Sequence, residues 1–145
     1  MSIETPCIAV CLLDPRSGLL TTAAFERDFA TAVYQAQTRG ESLSVARFNL
    51  DRSDPRARFD AARIISRLMR KMDFGALHSD DAIVVVFAET DLRAAQSIAR
   101  RLVSVIRQTS HGPRREARIE PEVGVATLMP GDTARSILAR LADQD

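Results

Sequence analysis

The sequence predicts an α/β sandwich of 145 residues, with a mixed or antiparallel central sheet flanked by helices. Three observations carry that expectation. Strand-like and helix-like segments alternate along most of the chain, the pattern of layered α/β domains. One run, Ala82–Ala88 (AIVVVFA), is apolar throughout, as a strand covered on both faces must be. A polar turn, His78-Ser79-Asp80-Asp81, separates that run from Phe74–Leu77, so the two read as a β-hairpin whose strands run antiparallel.

The elements follow in order. Residues 6–13 (PCIAVCLL) read as a buried strand, and Asp14–Gly18 (DPRSG) carries turn chemistry. Thr21 or Thr22 can cap a helix reaching about Arg39, with Phe25, Phe29, Val33 and Ala36 on one stripe. Gly40 stops it. Leu43, Val45, Arg47 and Asn49 alternate with Ser44, Ala46, Phe48 and Leu50, which predicts a strand. Asp54-Pro55 opens a second helix, with Ile64, Ile65, Leu68, Met69 and Met72 expected inward. A third helix is expected over Asp91–Arg107, with Ala95, Ile98, Leu102 and Ile106 inward. His111–Arg115 reads as a polar loop, and Arg118–Leu128 as a strand interrupted by Pro121 and Gly124. Pro130-Gly131-Asp132 leads a last helix to Ala142. No repeat, low-complexity tract or linker divides the chain, so residues 1–145 read as one domain.

Composition narrows the function. The chain is 46% hydrophobic and 27% charged, the values of an ordinary soluble globule. Twenty basic residues against 19 acidic ones leave a net charge of +1, which offers no field for nucleic acid or an anionic membrane. Lys71 is the single lysine; every other basic residue is Arg, whose fork suits planar, bidentate partners such as guanine edges and phosphates. Cys7 and Cys11 share one face of a strand but sit too far apart to bond each other, and they read as core thiols. His78 and His111 belong to no ligand cluster, so no metal site or cofactor is expected. With no leader-like N-terminus and no long apolar run, a cytoplasmic location without membrane insertion is expected.

Several segments, in order, resemble the diguanylate cyclase (GGDEF) family. Asp14–Phe25 (DPRSGLLTTAAF) is similar to its D-x-L-T-G-L-x-N-R-x-x-F opening, with Asp14, Gly18, Leu19 and Phe25 in register. Phe48-Asn49-Leu50-Asp51 resembles its D-[ILV]-D strand end, and His78-Ser79-Asp80-Asp81-Ala82 stands where the GGDEF signature belongs. Ala94, Ala95, Ile98, Ala99 and Arg101 resemble the next helix. Val123-Gly124-Val125-Ala126 resembles the S-[IV]-G-[VI]-A strand, and Ala142-Asp143 the terminal A-D. The resemblance covers residues 14–143 and implies the GGDEF-like, nucleotidyl-cyclase-like fold.

The same residues imply that catalysis is lost. Joining two nucleotides is phosphoryl transfer, which needs metal-bridging carboxylates and close backbone approach to phosphates. Asn49 replaces the first carboxylate of the D-[ILV]-D pattern and is a poor Mg²⁺ ligand; Asp80 remains. His78 and Ser79 put side chains where the family has paired glycines, and Ala82 replaces its Phe. Between Asp51 and Arg70 the chain is too short for the family's guanine-reading segment, and the sequence ends before the family's late Lys and Arg. The expectation is a pseudo-enzyme with no catalytic residue.

One family site has a counterpart. The product-binding inhibitory site is R-x-x-D set five residues before GGDEF, and Arg70-Lys71-Met72-Asp73 precedes His78 with one residue fewer between, or five if Ser79 heads the turn. The resemblance implies that Arg70 pairs with guanine O6 and N7 or a phosphate, that Asp73 accepts from guanine N1–H and N2–H, and that Arg101 completes the pocket. Arg140–Asp143 is a second R-x-x-D, so position rather than pattern singles out the first. An Arg–Asp pair at a helix end is expected to be exposed and worth ~0–1 kcal/mol. The implied function is a non-catalytic receptor for cyclic di-GMP, a class that governs exopolysaccharide secretion, biofilm or motility. The alternative is a ligand-free module for homodimerisation or for docking a regulatory protein.

Overall fold

The structure, a computed structural model, describes residues 13–50, 55–79, 82–109 and 121–142. Cys7, Cys11, Asp80, Asp81, His111 and Asp143 lie outside the described residues, and with them the expected first strand, the hairpin tip and the polar loop.

Among the described residues four helices and four strands follow in chain order: α1 (Thr22–Arg39), β1 (Leu43–Asn49), α2 (Pro55–Leu68), β2 (Phe74–Ser79), β3 (Ala82–Ala88), α3 (Leu92–Thr109), β4 (Glu122–Thr127) and α4 (Ala134–Ala142). The strands form one sheet in the order β2-β3-β1-β4, and every pairing between them is antiparallel. The expected hairpin is therefore present as β2–β3. β3 is central, and Ala82–Phe87 are fully buried, which is what its unbroken apolar run required.

Strand alternation splits the core in two. Ala46, Phe48, Ile83, Val85 and Phe87 point to one face and pack under α2 and α3. Leu43, Val45, Ala76, Val84, Val86 and Ala126 point to the other and pack under α1 and α4. Phe48 and Phe87 have no exposed surface, so each stabilises the fold by roughly 1.5–3 kcal/mol.

α1 is bounded as its sequence predicts. Thr21 caps it, its hydroxyl accepting from the Ala24 amide at 3.3 Å. Gly40 ends it in the left-handed region at φ 68°, donating its N–H to Ala36 O. Phe25 meets Phe29 at 5.4 Å and the Phe74 ring edge-on at 5.8 Å, which pins the helix to β2.

α2 differs from expectation. Its buried stripe is Ala57, Ala61, Ala62 and Ile65; Ile64 and Met69 are only partly buried, while Leu68 and Met72 are 49% and 46% exposed. α2 ends at Leu68, so Met72 falls beyond the helix and its 3.6-residue period. Small alanines on the buried stripe let α2 lie close to the sheet. In α3, Ala95, Ala99, Leu102 and Ile106 are buried and Ile98 is partly so.

Gly75 explains how β2 is held. A Cβ there would stand 2.7 Å from the Val84 carbonyl, so only glycine allows the two backbones to approach this closely. Its own carbonyl accepts from Leu20 N at 3.0 Å, which fastens the segment before α1 to the sheet's outer strand.

Candidate functional site

The sheet ends in two polar corners. The first is the row Ser79–Ala82–Asn49–Glu122, one residue from each of β2, β3, β1 and β4. It places the counterparts of the signature turn and of the D-[ILV]-D strand end side by side. A register shift between Leu77 and Ser79 makes His78 the extra residue of a bulge, and Ser79 closes the pairing with Ala82. Counted to Ser79, five residues separate Asp73 from the turn.

Asn49 shares its sheet face with Arg47, and Arg47 Nε donates to Asn49 Oδ1 at 3.1 Å. A guanidinium therefore holds the one oxygen that Asn49 could offer a metal. Among the described residues the donors here are a neutral amide oxygen, already engaged by a cation, and an exposed carboxylate at Glu122, a weak pair for a divalent ion. Burial, then the Arg47 charge, pushes the His78 imidazole below its usual range, against an opposing pull from Glu26. Beside this corner a cleft of about 330 Å³ opens between α1, the end of β2 and α4. Phe25, Phe29 and Leu138 form its apolar wall, and Glu26, His78 and Arg135 its charged rim. Neither Arg70, Asp73 nor Arg101 lines it.

Arg70 and Asp73 form the second corner, just beyond α2. The Asp73 amide donates to Arg70 O at 3.0 Å, so the four residues make a turn rather than a helix end. Arg70 Nε donates to Asp73 Oδ2 and Nη2 to Oδ1, both at 2.9 Å, in a bidentate pair. Arg70 Nη2 also donates to Thr90 Oγ1 at 2.7 Å. The Asp73 side chain is 1% exposed against 46% for Arg70. The expected weak surface pair is thus a half-buried clamp, because the turn folds the carboxylate under the guanidinium. The bond to Asp73 raises the Arg70 pKa above its ordinary value, so the charge is permanent. Arg70 Nη1 has no acceptor among the described residues. Arg101 is exposed on α3 and makes no ion pair or hydrogen bond among the described residues.

Neither Thr90 nor Arg47, the latter placed only as a strand position, stands out in the sequence as a site residue. Arg47 had a signal: a charged residue in the middle of a strand apolar on both sides. Thr90 had none beyond its place after β3.

No protein-family model matches the chain, and no curated protein matches it. Solved structures do. The GGDEF domain of DgcB from Caulobacter crescentus, solved with c-di-GMP, superposes with a TM-score of 0.80 at 16% identity over 91% of this chain and 84% of that one. The fold is GGDEF-like. The GGDEF domain of FimX from Pseudomonas aeruginosa matches at TM-score 0.72 and 21% identity, over 92% of each chain. The diguanylate cyclase SiaD from the same organism, solved with its activator SiaC, matches at TM-score 0.82 and 18% identity. There the GGDEF-like chain is covered over 98% of its length and spans 60% of the other. Among the described residues no helix is long and apolar enough to cross a membrane.

Proposed function

We propose that this GGDEF-like chain is a non-catalytic module of cyclic di-GMP signalling that takes up the dinucleotide at Arg70, with Arg101 as a second cationic contact. The observation that carries the reading is the clamp: a buried Asp73 holds Arg70 in place and leaves Nη1 open at the surface. A fixed guanidinium edge suits guanine O6 and N7 or a phosphate, with little ordering required on binding. Asp73, with both oxygens on Arg70, acts here as a positioning residue rather than as a reader of guanine. The absence of turnover rests on the other corner, where Arg47 holds Asn49. The DgcB domain, a structural neighbour, was solved with c-di-GMP, which supports the choice of ligand.

Calorimetric titration with cyclic di-GMP tests the reading. Binding in the micromolar range is expected, about −8 kcal/mol, and Arg70→Ala should weaken it by about tenfold or more. A parallel incubation with GTP and Mg²⁺ or Mn²⁺ should yield no cyclic di-GMP above a heat-killed control. Product there overturns the non-catalytic half. A flat titration overturns the receptor half in favour of a ligand-free docking module. That second reading is favoured by Leu68, Met72 and Leu92, exposed residues bracketing Arg70 and Thr90 in the chain, and by the protein partner seen on SiaD.

A further inference from the structure

Of the four buried polar side chains among the described residues, Ser44, Asp73 and Thr90 belong to one hydrogen-bonded path. It starts at Asp73 and Arg70. Arg70 Nη2 donates to Thr90 Oγ1 at 2.7 Å, and that hydroxyl donates onward to Ala88 O at 2.8 Å. The Thr90 carbonyl accepts from Ser44 Oγ at 2.8 Å. Ser44 Oγ also lies 3.3 Å from Thr127 Oγ1, so its single proton is shared between the Thr90 carbonyl and that hydroxyl, and Thr127 Oγ1 donates in turn to Leu43 O at 3.3 Å. The Thr127 carbonyl accepts from Arg140 Nη2 at 2.7 Å. Arg140 Nη1 reaches both oxygens of Asp132 at 2.7 Å, and Asp132 also takes the Ser136 hydroxyl at 2.7 Å and the Met129 amide at 2.8 Å. Gln37 of α1 closes the far end by donating to Met129 O and Asp132 O at 2.9 and 3.1 Å.

The path runs across the end of the sheet opposite Asn49, where Leu43 pairs with Ala88 and Ser44 with Thr127. Each terminus is a carboxylate folded under an Arg: the Asp73 side chain is 1% exposed and that of Asp132 9%. Between them lie Ser44 (0% exposed), Thr90 (3% exposed) and the partly buried Thr127, so the middle of the path is largely shielded and each bond depends on the orientation of the next.

We propose that this path is a relay: the two Arg–Asp clamps are one cooperative unit, and an anion on the Nη1–Nη2 edge of Arg70, competing with Thr90 for Nη2 while Asp73 keeps its pair, loosens α4 from β4. The donor that orients Thr90 is Arg70 Nη2. Withdrawing it leaves the buried hydroxyl with one bond, frees the Thr90 carbonyl to shift, and unsettles Ser44, Thr127 and the carbonyl that Arg140 holds. The output surface is α4 with the end of α1. The ligand half rests on Arg70 as the cyclic di-GMP contact; the coupling between clamps does not.

The test is a double-mutant cycle in urea between Thr90→Val, which keeps shape and removes the hydroxyl, and Arg140→Lys. Residues in one network couple, whereas separate sites add. The unfolding constant of the double variant should depart from the product of the single effects by at least about threefold. Thr90→Ser, which restores the hydroxyl, should restore the wild-type response to Arg140→Lys. Ser44→Ala serves in place of Thr90→Val if that variant does not fold. Additive effects overturn the relay. Amide exchange then tests the ligand half: cyclic di-GMP should speed exchange at Ile137–Leu141 several-fold in wild type and not in Thr90→Val. Heat of binding with unchanged α4 exchange also overturns the relay. No heat of binding removes the receptor reading instead, and the mutant cycle alone then decides the coupling.

Discussion

At the scale of single residues, the clamp at Asp73 sets the clearest expectation. Removing one partner of a buried ion pair leaves the other uncompensated, which destabilises by roughly 3–5 kcal/mol in deep sites. In Asp73→Ala the group left behind is the half-exposed Arg70, which regains water, so the loss is that of its charge-assisted hydrogen bonds, about 1.5–3 kcal/mol, and the melting temperature should fall by roughly 4–8 °C. A change of only a degree or two in thermal unfolding would return the pair to the class of surface salt bridges. The same variant should weaken cyclic di-GMP binding by loosening Arg70, while leaving the preference for guanine over adenine dinucleotides unchanged. The R-x-x-D pattern, its place before the turn and the chemistry of the Arg were all legible in the sequence. The burial was not: i, i+3 spacing says that two side chains can meet, but only the turn after Leu68 decides which of them lies underneath.

Elements tell a parallel story. The β2–β3 hairpin, the capped α1 and the buried β3 were readable because apolar runs, a capping Thr and a stop Gly act locally. α2 misled because its bulky residues lie toward its C-terminal end, while the sheet is approached through Ala57, Ala61 and Ala62. Small residues that permit closeness leave little trace in hydropathy. Gly75 is of the same kind. Gly75→Ala should cost about 1–3 kcal/mol by urea unfolding, since the Val84 carbonyl is fixed in the ladder and cannot give way. An unchanged midpoint would mean that β2 and β3 lie further apart. α4 carries its own pH signature. Burial pushes the Asp132 carboxyl up, but bonds from Arg140, Ser136 and the Met129 amide outweigh it and hold the pKa below the usual value. A depressed carboxylate stabilises the fold above its unfolded pKa of about 3.9 and loses that contribution as pH falls through the folded value. The difference in unfolding free energy between wild type and Asp132→Asn should therefore be flat from pH 7 to about pH 5 and shrink below pH 4. A difference that is already shrinking near pH 6 would point to another group.

For the whole molecule, the GGDEF-like architecture separates two corners at opposite ends of β1. Fold class was legible because element order, the hairpin and the motif sequence agreed. A neutral Asn49 at the strand end was legible too. Its engagement was not, because Arg47 reaches Asn49 only through the pleat of β1, two residues along one face. The two ends should be separable by mutation. Variants at Asn49 and His78 should leave cyclic di-GMP titrations within about twofold of wild type, whereas Arg70→Ala should not. Equal losses from both sets would mean one shared site.

The Arg47–Asn49 contact also bears on how such a module could change over generations. Asn49→Asp alone should produce no cyclic di-GMP from GTP and Mn²⁺, because the restored carboxylate meets a resident cation before it meets a metal. Arg47 would have to go as well, and losing it first removes a hydrogen bond while restoring no function. Arg47 thus adds an obstacle to the side chains of His78 and Ser79 and the short stretch between Asp51 and Arg70, with no advantage at the midpoint. An internal counterion of this kind bars each single substitution toward a metal site from being rewarded on its own.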